Sequence, residues 1–167
     1  MGRRRSRGKV RSANLDELSQ KQRDAAEAFI AKHPDSAVIA EQLRIHQGTP
    51  WAKQAVNGIL VRAAIDAYVA GKKPNFDSML EWETVANVKA AAMKGPEALW
   101  AELHKRGMVG DAAKPVNAVN GSFINCRPSP DCATFCYAVK GRYLLAQSVV
   151  KSELVNWGIE NDPARAA

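Results

Sequence analysis

The sequence predicts a mainly α-helical protein, a small helical bundle with a basic disordered N-terminal arm and a C-terminal Cys-motif segment plus helix. Apolar residues recur at helical spacing from Leu15 onward. Capping residues, glycines and prolines separate these stretches. The expected organisation is an arm over residues 1–14, a helical domain over 15–106, a linker over 107–121 and the Cys-motif segment over 122–167.

The first two predicted helices have clear boundary signals. Ser19 and Gln22 have the spacing of a capping box, in which each side chain serves a backbone N–H of the other residue. Pro34 ends the first helix. A second helix is predicted from Ser36 to about His46, before Gly48 breaks it.

Three more helices are predicted in the domain. Thr49 followed by Pro50 is a strong start signal for the longest helix, which stops near Gly71. The apolar pattern predicts a fourth helix, capped by Asp77 or Ser78 and running through Met93. After Gly95-Pro96, a fifth helix is predicted over Glu97 to Arg106.

The second and third helices also have the outline of a helix-turn-helix, with a break at Gly48. In that interpretation the base-facing residues are Thr49, Lys53, Gln54 and Asn57. Any two amphipathic helices joined by a glycine turn give the same pattern, and Trp51 and Val56 are apolar where base contacts are expected. Ordinary helical packing is therefore the preferred interpretation.

The excess of positive charge is concentrated at the N-terminus. The formal net charge is +7, and the first eleven residues hold no acid. The basic residues of this arm are Arg3, Arg4, Arg5, Arg7, Lys9 and Arg11. The other 156 residues therefore carry a net charge of only +1. An arm of this composition is expected to be disordered and to bind the phosphates of DNA or RNA without sequence preference, or simply to solubilise the chain.

No stretch approaches the roughly 20 consecutive apolar residues of a membrane span. The basic start also lacks the apolar run of a secretory signal. We expect a soluble cytoplasmic protein with no membrane partner. Three cysteines in 167 residues fit a reducing compartment, where thiols stay free.

The three cysteines are the candidate metal ligands. Cys126, Cys132 and Cys136 lie within eleven residues, and an odd number of thiols cannot all pair within one chain. Three soft ligands favour a zinc ion or an iron–sulfur cluster. The alternatives are thiols that merely pack, or one disulfide and one free thiol. A nucleophilic cysteine is less favoured because no histidine lies close in sequence.

The local pattern predicts how these sulfurs converge. Ser129 and Pro130 start a helix that places Cys132 in its first turn and Cys136 one turn later on the same face, and the helix continues through Leu154. The helix N-terminus and Arg127 should favour thiolates. The C-x5-C-x3-C spacing matches no common zinc or ferredoxin pattern. No fourth ligand stands out, since the histidines His33, His46 and His104 all lie in the helical domain.

The string Cys132-Ala-Thr-Phe-Cys136-Tyr-Ala-Val-Lys140, preceded by Cys126 and followed by Arg142-Tyr143, resembles the opening motif of the gene product 88 domain of mycobacteriophages. The resemblance covers about residues 122–145. It implies a phage or plasmid protein of largely unassigned activity, in the cytoplasm of a bacterial host. The family domain continues well past this motif, whereas 31 residues follow Cys136 here, so the expectation is either a truncated product or a superficial resemblance.

The sequence thus predicts a phage-type protein that binds a metal or iron–sulfur cluster, associates with nucleic acid and contains no identifiable catalytic residue. One alternative is a helical structural or interaction protein with packed thiols. Another is a truncated fragment of a larger cluster- or thiol-dependent enzyme.

Overall fold

A computed structural model describes residues 18–106, 122–141 and 145–166 of the chain. Within these ranges 76% of the residues are helical and there is no strand, which confirms the mainly α-helical prediction. The α-helices are α1 (Gln20–Lys32), α2 (Ser36–Ile45), α3 (Pro50–Val69), α4 (Ala86–Met93), α5 (Pro96–Arg106), α6 (Pro130–Thr134), α7 (Ala146–Asn161) and α8 (Pro163–Ala166).

The predicted helix starts are made by the expected side chains. Ser19 Oγ accepts a hydrogen bond from Gln22 N at 3.3 Å, and Gln22 Oε1 accepts one from Ser19 N at 3.1 Å, which completes the capping box. Thr49 Oγ1 accepts from Ala52 N at 3.3 Å, with Pro50 at the first position of α3. Local polar chemistry therefore sets where α1 and α3 begin.

The long helix α3 is the centre of the fold and contributes to two apolar clusters. Its first half packs with α1, α2 and residues of the cysteine loop (122–141), forming what we call the amino-side core. Its second half packs with α4, α5 and α7, forming the carboxy-side core. The cysteine loop reaches the amino-side core through Ile124, Ala133 and Cys136.

The prediction of one continuous fourth helix is wrong. Two short 3-10 turns, Met79–Glu81 and Glu83–Val85, precede α4, and Trp82 between them is extended (φ −78°, ψ 142°). Leu80 and Val85 are both fully buried. In a regular helix these two positions would lie about 140° apart around the axis. The break lets both side chains reach the carboxy-side core.

The predicted continuous helix from Pro130 to Leu154 is also wrong. The helix α6 ends at Thr134, a 3-10 turn follows at Tyr137–Val139, and α7 begins only at Ala146. Gly141 lies in the left-handed region at φ 59°, a conformation that no α-helix continues through. Cys136 consequently lies beyond the end of α6.

The basic arm residues and the predicted linker over 107–121 lie outside the described residues. In the part of the chain that the structure describes, no helix has the length and apolar character needed to cross a membrane.

Candidate thiol site and the buried carboxyl group behind it

The structure places the three cysteines in different surroundings. Cys126 is exposed and ends the 3-10 turn Phe123–Asn125, where its N–H donates to Phe123 O at 3.2 Å. Cys132 is exposed in the first turn of α6, where its N–H donates to Ser129 Oγ at 3.2 Å. Cys136 is buried in the amino-side core. All three thiols are free, so the structure holds no disulfide among them.

The three sulfurs nevertheless interact electrostatically. The pKa of the Cys126 thiol is raised, first by partial burial and second by the neighbouring Cys132 thiol, with Cys136 acting in the same direction. Arg127 lowers this pKa, as predicted, but burial and Cys132 outweigh it.

Trp51 on α3 supplies an unused hydrogen-bond donor beside Cys126. The residue is 2% exposed, and its indole nitrogen has no hydrogen-bond partner of normal geometry. The same N–H lies close enough to the Cys126 sulfur to lower the pKa of that thiol. A buried donor without a full partner is costly, and a thiolate at Cys126 would satisfy it.

The sulfurs are not gathered as a finished metal centre. Over residues 18–106, 122–141 and 145–166, no group of three or more His, Cys, Asp or Glu side chains is arranged to hold a metal ion. The predicted stacking of Cys132 and Cys136 on one helix face fails because α6 ends at Thr134.

The histidines have packing contacts of their own. His33 Nε2 lies 3.7 Å from Glu160 Oε1, His46 packs edge-on against Trp51, and His104 stacks on Trp100. Whether any of the histidines is a ligand stays a prediction.

Arg127 also binds the backbone of the cysteine loop. Its Nη1 donates to the carbonyl oxygens of Ile124 at 2.6 Å and Cys126 at 3.0 Å. Its Nη2 lies 3.8 Å from Asp35 Oδ2, next to the start of α2. The guanidinium thus holds the Cys126 backbone against the bundle.

A buried carboxyl group on α7, which sequence reasoning missed, lies behind this loop. Glu153 is 1% exposed, and its Oε1 accepts a 2.7 Å hydrogen bond from Ser122 Oγ. Its Oε2 has no hydrogen-bond partner and lies 3.9 Å from Arg62 Nη1. Burial raises the pKa of Glu153 to about 7.

Gly58 on α3 makes the space that this carboxyl group occupies. A Cβ atom at Gly58 would lie 2.7 Å from Glu153 Oε1, closer than real contacts allow. The available sequence signals were a glycine inside a predicted helix and an acid within the apolar stripe of Val150 and Leu154. Neither signal identifies the other residue, because 95 positions separate them.

Two of the residues proposed to read DNA bases are part of the core. Gln54 and Asn57 are buried, and Asn57 Nδ2 donates to Gln54 Oε1 at 2.9 Å. Neither can face a base in the major groove, so the helix-turn-helix interpretation is wrong for them. Thr49 caps α3 and donates its hydroxyl to His46 O at 2.7 Å.

The chain matches no family model, no curated protein and no solved structure. The resemblance to the gene product 88 domain therefore stays a prediction. Function has to be inferred from the chain's own residues, chiefly the exposed thiols, the unused Trp51 donor and the buried Glu153.

Proposed function

We propose that the protein binds a soft metal, as zinc or an iron–sulfur cluster, through its cysteine loop. Cys126 and Cys132 supply the first two thiolates because both are exposed. Cys136 supplies the third after the loop rearranges. The observation that carries this proposal is the buried Trp51 N–H, which faces the Cys126 sulfur without a normal partner.

The electrostatics of the loop support binding of a cation. Burial raises the pKa of Cys126 most, and the neighbouring thiols raise it further because adjacent thiolates would repel one another. A metal ion among them removes that repulsion and displaces the thiol protons. Binding is then expected to release protons and to be tighter at higher pH.

Rearrangement of the loop is compatible with its packing. The helix α6 has only five residues, and Phe135 at its end is 74% exposed. Cys136 belongs to the same apolar cluster as Ile124 and Ala133, so its side chain has to turn out of that cluster to share an ion with the exposed Cys126 and Cys132.

Metal content of anaerobically purified full-length protein tests the proposal. Elemental analysis and ultraviolet-visible spectra separate zinc, iron and neither. Titration with Co²⁺ should give thiolate-to-cobalt charge-transfer absorption in the wild type and lose most of it in Cys126→Ser and Cys132→Ser.

Phe135→Ser is the matched control, since it changes an exposed side chain of the same loop that is not a ligand. It should bind Co²⁺ as the wild type does. A folded wild-type protein that holds no metal and gives no charge-transfer band would reject the proposal.

We further propose that the basic arm contacts DNA or RNA phosphates through Arg3, Arg4, Arg5, Arg7, Lys9 and Arg11, in a reducing cytoplasm where the thiols stay free. Replacing these six residues with glutamine should abolish salt-dependent retention on both nucleic acids. Replacing Lys21, Lys72 and Lys73, which are exposed in the described bundle, is the control. Equal retention of both variants would remove the arm from the function.

A second candidate function is a helical interaction or structural protein, and the burial of Cys136 favours it. In that case Cys136→Ala lowers stability without altering metal content. In a metal protein with three thiolates, the same substitution lowers Co²⁺ affinity as well.

A further inference from the structure

Glu153 lies where three parts of the fold meet. Its carboxyl group fills the gap at Gly58 on α3, projects from α7 and accepts the hydroxyl of Ser122 at the start of the cysteine loop. Ser122 Oγ also accepts the Ile124 N–H at 3.1 Å, so it caps the turn that leads to Cys126. One hydroxyl therefore joins the turn to the carboxyl group.

The charges around this carboxyl group compensate its ionised form only in part. Arg62 on α3 faces it, but Arg62 already donates to both oxygens of Glu160 on α7, at 3.3 and 2.5 Å. One guanidinium is thus shared between two acids.

The outer groups do not supply the missing positive charge. On the α1 side, the guanidinium of Arg62 lies over the Phe29 ring, and His33 is in contact with Glu160, not with Glu153. Asp66 on α3 is a further acid within electrostatic range of Arg62, and Lys32 on α1 acts on Asp66. An ionised Glu153 would therefore leave Oε2 without a hydrogen bond, 3.9 Å from an Arg62 Nη1 that already donates to Glu160.

We propose that Glu153 is a proton-responsive anchor that holds the cysteine loop on α3 and α7 when its carboxyl group is neutral. Loss of the proton places in the interior a negative charge that Arg62 compensates only in part. Opening of the Ser122 contact admits water to that charge, and the turn at Phe123–Asn125 separates from α7. The anchor is independent of metal binding, so it stands or falls separately from the proposed metal site.

Amide hydrogen exchange of the full chain, measured with reductant and chelator, tests the anchor. In the wild type, protection of the peptide spanning the Ser122 turn, after correction for intrinsic exchange rates, should fall up to about tenfold per pH unit between about pH 5 and 7. It should level off above pH 7, because the closed state then also releases its proton.

Glu153→Gln keeps the shape and the hydrogen-bond acceptor but removes the titration. Its corrected protection should not change over the same pH range. Glu97→Gln is the control, because it alters an exposed pair between Glu97 on α5 and Arg165 on α8 and should reproduce the wild-type curve. Parallel wild-type and Glu153→Gln curves would overturn the proposal.

Ser122→Ala keeps the test decisive if Glu153→Gln does not fold. It retains the buried acid but removes its bond to the turn. The turn should then exchange rapidly even at pH 5, while α3 and α7 keep the pH dependence of the wild type. Wild-type protection of the turn at pH 5 in this variant would contradict the anchor.

Discussion

The hydroxyl of Ser122 donates a 2.7 Å hydrogen bond to Oε1 of Glu153, across 31 positions of sequence. Both residues are buried. Because the oxygen of Ser122 also caps the turn before Cys126, the carboxyl group on α7 helps to position the first thiol of the cysteine loop.

Global stability should fall as the pH rises toward neutrality. The pKa of Glu153 is raised from 4.5 to about 7 in the folded protein, so the folded state binds the extra proton in that interval. The stabilisation that this extra proton gives the folded protein is complete below pH 4.5 and is lost as the pH rises through 7. The free energy of unfolding falls by about 3 kcal/mol at most. Urea unfolding at several pH values checks this.

Glu153→Gln is the reference for that measurement. The free energy of unfolding of this variant should vary less between pH 5 and pH 8 than that of the wild type. An equally steep fall in both proteins would assign the pH dependence to other groups.

Gly58→Ala should destabilise the protein even though alanine favours a helix by about 1 kcal/mol over glycine. The new Cβ would lie 2.7 Å from Glu153 Oε1 and 3.1 Å from its Cδ. We expect a net loss of about 1–3 kcal/mol, as for overpacked cores. Chemical denaturation measures the loss.

A double-mutant cycle supplies the control for Gly58. In a Glu153→Ala background the obstructing carboxyl group is gone, and Gly58→Ala should then be neutral or stabilising. A similar loss in both backgrounds would mean that the obstruction is not the Glu153 side chain.

Gly158→Ala should loosen the contact between α5 and α7. Its Cβ would lie 2.6 Å from Leu103 Cδ2 and 3.2 Å from the Trp100 ring. The end of the Leu103 side chain can move, but the Trp100 indole is packed against Trp157. We therefore expect the free energy of unfolding to fall by about 1–2 kcal/mol. Thermal unfolding and tryptophan fluorescence measure this loss of stability. The double variant with Leu103→Ala should lose less stability than the sum of the two single variants.

Trp51→Phe should weaken metal binding by about tenfold while keeping most of the apolar contacts of the ring. The substitution removes the only hydrogen-bond donor of this side chain, which faces the Cys126 sulfur. Competition with a chromophoric chelator measures the affinity. Trp82→Phe, in the break before α4, is the matched control, and equal affinities in both variants would exclude a role for the indole N–H.

Local signals predicted much of the fold. The Ser19 capping box, Pro34 and the Thr49-Pro50 pair act within one helical turn, so their effect is readable from neighbouring residues. The Ser129 cap before α6 was predicted for the same reason.

The errors concern contacts between residues distant in sequence. The helix break at Trp82 and the early end of α6 depend on which core each segment reaches, and periodicity alone does not contain that information. The burial of Glu153 depends on where α7 packs against α3 at Gly58. Gln54 and Asn57 are buried in the first half of α3, the half that contributes to the amino-side core. The cysteines were placed on one helix face because the predicted helix ran past Cys136, which the structure contradicts.

The central position of α3 has a consequence for how the molecule unfolds. Each apolar cluster includes one half of the same continuous helix, α3. Unfolding of either cluster should therefore also destabilise the part of α3 on which the other cluster depends. A substitution at Gly158, which packs against Leu103 and Trp100 of the carboxy-side core, should therefore also destabilise the loop that holds Cys126. Loss of structure should spread along α3 instead of stopping at its middle.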